Sequence, residues 1–276
     1  MTSLLDILKH IDIISPKEYS LPDREGYVEV GPITKAEQSN TTINRILVTV
    51  FPSAKVIAKA SQEKANLIIS FLPMFEGPTK QLFGQDLVKV RLLAKNYIST
   101  YVIGTSWIGS NSGLSDALSD LLNLSISKKF NIRGLDSSLI PIGRVCETPS
   151  KMNHSGFANY IASKSGIPNI RFTGSLDDEV NEVLVVAGSV LSRDMLMQSL
   201  QDGMKTIVTG ELCPKDHILA SKLGVNVFEM GAFVTEEPGM KRFRHQLSTE
   251  YPEMKIEFAE TDQITHILRP YKDDRK

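Results

Sequence analysis

The chain has 276 residues, with 31 Lys and Arg against 32 Asp and Glu and a net charge of −1 at pH 7. That balance leaves no global field to hold a phosphate backbone, which argues against generic nucleic-acid binding. Two cysteines, Cys146 and Cys213, stand too far apart for a zinc knuckle, a CxxC redox motif or a disulfide framework, and no run approaches the roughly 18–20 apolar residues of a membrane span.

At the N-terminus, Leu4, Leu5, Leu8 and Ile11 recur at helical spacing among Asp6, Lys9, His10 and Asp12. This pattern predicts an amphipathic helix rather than a signal peptide, and the cytoplasm is the expected location. Ile46-Leu47-Val48-Thr49-Val50 has no polar face and reads as a strand buried on both sides. Pro52-Ser53 then opens a helix, with Ser53 as its N-cap. Leu67-Ile68-Ile69-Ser70-Phe71 is the next strand, a helix covers 82–95, and 98–103 is a third strand. A helix is expected over 112–122, and the stretch 125–150, with Lys128, Lys129, Pro141 and Pro149, reads as a connector.

Beyond the connector the order repeats. Strands are predicted at 183–186, 206–209 and 225–229, and helices at 192–201, 214–223 and 237–250. The letters repeat too: NRILVTV from Asn44 parallels NEVLVVA from Asn181, and LIIS from Leu67 parallels TIVT from Thr206. Strands alternating with helices define an α/β protein with parallel or mostly parallel sheets covered by helices, here built by internal duplication. Residues 1–127 and 128–270 are the expected repeats, and 271–276 a solvated tail. In such folds ligands favour the crevice beyond the carboxyl ends of the strands. That rule selects Phe71-Leu72-Pro73, Gly104 to Ile108, Gly210-Glu211 and Gly231 to Glu236.

Those segments, with INRILVTV, ANLIISFLP, YVIGTSWIGSNSGLSDALSDLLNL, GRVCE, TIVTGE and FEMGAFVTEEPG, resemble the Nif-three-like family, catalogued as GTP cyclohydrolase 1 type 2 homologues. The resemblance runs from the first helix to about Ala259 and fits the short form of the family. It implies two intertwined, duplicated α/β repeats with mixed, mostly parallel sheets flanked by helices. It further implies a homo-oligomer, from dimer to hexamer, and a site for two divalent metals held by five side chains. Where the family carries His-His-Pro this chain has Phe71-Leu72-Pro73. The family's Asp is replaced by Ile108 and its Gly-His-Tyr by Gly231-Ala232-Phe233, while Glu236 is retained. Arg24-Glu25-Gly26 stands in place of the family's Trp-Asp-Asn.

Phe, Leu, Ile and Ala offer no lone pair, and one carboxylate cannot hold two cations. No metal or other cofactor is therefore expected. The predicted cleft is lined by Phe71, Leu72, Thr105, Ser106, Ile108, Ala232 and Glu236, with Glu211 and Glu236 as the candidate acids for any catalysis. Several residues carry more than one reading. Glu236 either caps the last helix or anchors a ligand in the cleft. The loop of Thr105, Ser106, Ser110, Asn111 and Ser112 beside Trp107 is either a sugar- or base-binding surface or a turn. Asp216 and His217, with Cys213, are a substitute metal cluster, a proton-transfer pair or surface groups. Gly188-Ser189 is either a phosphate cradle or the lead-in to an N-cap at Ser192. Lys241, Arg242, Arg244 and His245 are either a phosphate or subunit contact or a solvated face.

The leading expectation is a non-catalytic, homo-oligomeric binding or scaffold protein with a degenerate metal site. Its partners would be itself, another protein or a metal-competent paralogue, without nucleic acid or membrane. The alternative is a hydrolase with a remodelled cleft, acting on a nucleotide-like compound.

Overall fold

A computed structural model describes residues 2–75, 77–134 and 138–261. The first half runs α1 (Leu4–Ile14), β1 (Tyr27–Val30), α2 (Lys35–Asn40), β2 (Arg45–Thr49), α3 (Ala54–Gln62), β3 (Leu67–Ser70), α4 (Gly84–Lys95), β4 (Ser99–Val102), α5 (Ser106–Gly109) and α6 (Leu114–Leu121). A long hairpin follows, β5 (Ser125–Arg133) and β6 (Leu139–Asn153). The second half runs α7 (His154–Ser165), β7 (Arg171–Thr173), β8 (Glu179–Val186), α8 (Arg193–Gln201), β9 (Thr206–Thr209), α9 (Pro214–Leu223), β10 (Asn226–Glu229), α10 (Ala232–Glu250) and β11 (Lys255–Phe258).

The strands form two sheets, ordered β1-β4-β3-β2-β11 and β5-β6-β8-β9-β10-β7. In the first, β2, β3 and β4 are parallel and β1 closes the edge antiparallel to β4. In the second, β8, β9 and β10 are parallel and β7 closes the edge antiparallel to β10. The duplication is thus visible as topology. What differs is the other edge: β11 joins β2 in parallel, while the β5–β6 hairpin meets β8 antiparallel. Because β11 comes from the end of the chain and lies in the first sheet, the two halves are intertwined.

Side-chain alternation explains the layering. On β2, Ile46 and Val48 belong to the main core, while Leu47 points to a second cluster with Val56, Ile57, Ile68 and Leu93 under α3 and α4. Both faces of this sheet are therefore dry, as an uninterrupted β-branched run requires. Each such side chain contributes roughly 1.5–3 kcal/mol by leaving water. Between the sheets, α10 packs on β2 and β11, α6 on β5, β6 and β8, and the two helices on each other. Trp107 is fully buried in that seam, edge-on to Phe243 at 5.3 Å and donating from Nε1 to the Gly239 carbonyl at 3.3 Å.

Local chemistry sets the helix starts. Ser3 and Asp6 form a capping box on α1, and the hydroxyls of Ser53 and Ser192 accept from the Val56 and Met195 amides. Two expectations need correction. The 125–150 stretch is the β5–β6 hairpin, and α10 begins at Ala232, five residues before the predicted start. The tail at 271–276 lies outside the described residues. No helix among the described residues is long and apolar enough to cross a membrane.

Candidate functional site

A cavity of about 670 Å³ opens where the carboxyl ends of both sheets face each other. The first sheet supplies Phe71, Leu72 and Pro73 after β3, and Val102, Gly104 and Thr105 at the end of β4. The second supplies Ser189 and Val190 after β8, and Ala232 and Glu236 from the head of α10. Asp23, Arg24, Glu25 and Tyr27, on the segment entering β1, complete the wall. That size suits a small organic molecule.

Backbone geometry builds the rim. The Leu72 amide donates to the Val50 carbonyl at 2.9 Å, which turns Phe71 into the cavity wall. Gly104 has a φ of +82°, and a Cβ there would stand 2.5 Å from the Gly26 nitrogen, so only glycine lets the end of β4 meet the 24–26 segment. Thr105 clamps that segment: its amide and hydroxyl both donate to the Arg24 carbonyl, and its hydroxyl accepts from the Leu21 amide. On the loop after β3, the Met74 and Phe75 amides donate to one carboxylate oxygen of Glu29 on β1, at 2.7 and 3.0 Å. Burial pushes the Glu29 carboxyl up despite these two amides.

Among the described residues, Glu236 is the one acid set deep in this wall, and it is 1% exposed. Its Oε2 has no hydrogen-bond partner among the described residues. Burial, with Glu211 nearby adding like charge, pushes its carboxyl up to about 8. Glu211 itself does not line the cavity; its Oε1 accepts from the Ala232 amide at 3.4 Å, at the start of α10.

Phe71, Leu72, Thr105, Ala232 and Glu236 thus come together, and Ser106 and Ile108 do not join them. One turn of α5 carries the latter two inward. The Ser106 hydroxyl pairs with that of Ser15 at 2.7 Å, and Ile108 is fully buried in the core. The hydroxyl-rich loop is a turn: Ser110 bonds the Ser106 carbonyl, and Asp116 accepts from the Ser112 amide. Glu236 is not a cap, since it sits within α10. Gly188-Ser189 is no free cradle, because the Gly188 amide is spent on the Thr235 hydroxyl. His217 is neither in the cavity nor on an open surface: it bonds Thr173 at 2.7 Å and stands 3.2 Å from buried Glu229. The basic cluster is divided, with Lys241 on Glu237 and Arg242 on Asp120.

The resemblance implies two divalent metals, and the donor set does not fit them. Four of the five corresponding positions end in carbon, and among the described residues no three His, Cys, Asp or Glu side chains could hold a metal together. Arg24-Glu25-Gly26 figures in the sequence only as a replaced family motif, and the residues that sequence reasoning passed over are its neighbours Asp23 and Tyr27 and the loop carrying Phe75. Glycine and charge hid the first, and the absence of any period hid the second.

Fold and cavity define a duplicated α/β protein with its site at the meeting of two sets of strand ends. The family model for Duf34/NIF3 (NGG1p interacting factor 3) matches residues 3–266, and the chain belongs to that family. It is 28% identical over 240 residues to the GTP cyclohydrolase 1 type 2 homolog of Clostridium perfringens, covering 85% of this chain and 87% of that protein. The homolog of Methanocaldococcus jannaschii is 26% identical over 247 residues, covering 88% and 94%. Among solved structures, a Bacillus cereus protein related to NIF3 superposes with a TM-score of 0.81 at 15% identity, covering 97% of this chain and 99% of its own. Reduced HcgD from Methanocaldococcus jannaschii gives 0.74 at 22%, covering 93% and 97%. At these identities the superpositions speak for the fold.

Proposed function

We propose that this chain is a family member whose dinuclear metal centre has given way to an apolar ligand cavity, and that it works by binding rather than by metal-dependent hydrolysis. The observation that carries this reading is the wall itself: Phe71, Leu72 and Ala232, at three of the metal-ligand positions that the resemblance implies, all face one cavity. Aromatic and aliphatic walls with few polar groups are the usual make-up of a small-molecule site. The relatives' name, GTP cyclohydrolase 1 type 2 homolog, is not carried over as an activity. The chain is read as cytoplasmic and as a homo-oligomer, from dimer to hexamer, with another protein or a metal-competent paralogue as a further partner.

Elemental analysis of purified, untagged protein, followed by titration with zinc and manganese, tests the reading. The expected result is metal far below one equivalent per chain and no micromolar binding. Near two equivalents, lost in Glu236→Ala, would overturn it. The pairing of Glu211 and Glu236 at the head of α10 favours a second reading, a hydrolase acting on a nucleotide-like compound. Turnover by metal-free protein, abolished by Glu236→Gln, would establish that one instead.

A further inference from the structure

Three features of the cavity bear on its ligand, given the reading that it replaces a metal centre. First, its charge is lopsided: among the described residues the carboxylates of Asp23 and Glu25 line it against the single cation Arg24, with Glu236 as a further acid and Glu211 just behind. Second, it is rich in rings, with Tyr27, Phe71 and Phe75 in the wall. Third, Glu236 lines the cavity while only 1% exposed, and its Oε2, itself buried, meets no protein group among the described residues. A carboxyl left without a partner in apolar surroundings is costly, and a charged donor satisfies it best. Aromatic faces attract cations as well.

We propose that the cavity binds an organic cation, an amine or amidine on an apolar body, with the charged nitrogen donating to Glu236 and the body lying against Phe71, Leu72 and Val190. A metal ion needs several converging donors, and among the described residues no three His, Cys, Asp or Glu side chains come together to hold one. An anion seated against Phe71 and Leu72 would face the buried acid, while Arg24 is exposed at the rim. A polyol would leave its hydroxyls facing carbon.

The test uses three probes of one shape: 1-naphthylmethylamine, 1-naphthylmethanol and 1-naphthoate, followed by calorimetry or naphthalene fluorescence. The amine should bind about tenfold or more tighter than the alcohol, the scale of one charge-assisted hydrogen bond, and the acid should bind weakest. In Glu236→Gln that preference should vanish while the affinity for the alcohol stays. In Ala232→Trp, which fills the cavity and keeps the acid, all three should bind more weakly. Equal binding of amine and alcohol, or a preference for naphthoate, overturns the inference and leaves the apolar cavity standing. Failure of all three probes together with stoichiometric zinc or manganese overturns the reading beneath it.

Discussion

Glu236 shows how one side chain couples the site to stability. Its carboxyl is raised from an ordinary 4.5 to about 8, by burial first and by Glu211 second. The folded value lies above the unfolded one, so folding favours the acid form. Below about 4.5 both states hold the proton and the group costs nothing. The penalty grows as pH rises through that window and is complete above about 8, with a ceiling on the order of 5 kcal/mol. Glu236→Gln should therefore match the parent in urea unfolding at pH 4.5 and exceed it by a few kcal/mol at pH 9. A gap that does not change with pH would show that Glu236 is solvated or paired in solution.

At the scale of elements, the joint that positions the cavity's first-sheet wall is buried and ionic. Arg144 on β6 is 2% exposed; its Nε pairs with Asp116 of α6, and its Nη2 donates to the Gly109 and Ser110 carbonyls at 2.9 and 3.1 Å. This ties α5 and α6 to the second sheet directly after the β4 turn that carries Thr105. Arg144→Ala leaves the partly buried Asp116 carboxylate with only the Ser112 amide and takes the guanidinium donor from the Gly109 carbonyl, and should cost about 3 kcal/mol in chemical denaturation. Arg144→Met combined with Asp116→Leu should cost less than the single change, because no charge is left alone. An exposed, dispensable pair would instead show little loss in either protein.

The same elements show what the letters could convey. Strands β2, β3, β9 and β10, and β8 from Val183 onward, are dry on both faces, so their apolar runs stand out against the helices around them. The β5–β6 hairpin was hidden because β5 is an edge strand with mostly exposed residues, among them Lys128 and Lys129, which reads as a linker. The head of α10 was hidden by Pro238, a residue that usually sits in a first turn and here sits within the helix. That displacement is why capping the helix stood beside anchoring a ligand as a reading of Glu236. The segments where the cavity would lie were legible from the strand-end rule, and Phe71, Leu72, Thr105, Ala232 and Glu236 do meet there. The strand-end rule did not reach the wall from 23–27, known only as a replaced family motif at 24–26, since it enters the site through an irregular turn with no apolar period.

At the scale of the whole molecule, the two repeats share one main core rather than closing one each. The proposed division at 127/128 falls inside β5, and the first repeat would lose β11 from its sheet and α10 from its inner face. Without α10, Trp107 loses Phe243 and the Gly239 carbonyl, and Ile46 and Val48 lose part of their cover. The second repeat would lose α6 from β6 and β8, together with the carboxylate that pairs with Arg144. Each half thus buries its inner face only against elements of the other. Expressed separately, 1–127 and 128–276 should lack dispersed amide spectra and near-ultraviolet circular dichroism, while coexpression should return a soluble complex with both. A well-dispersed spectrum from 1–127 alone would mean that the first sheet closes its core without α10, and that the crossing of α10 and β11 holds the cavity together rather than the fold.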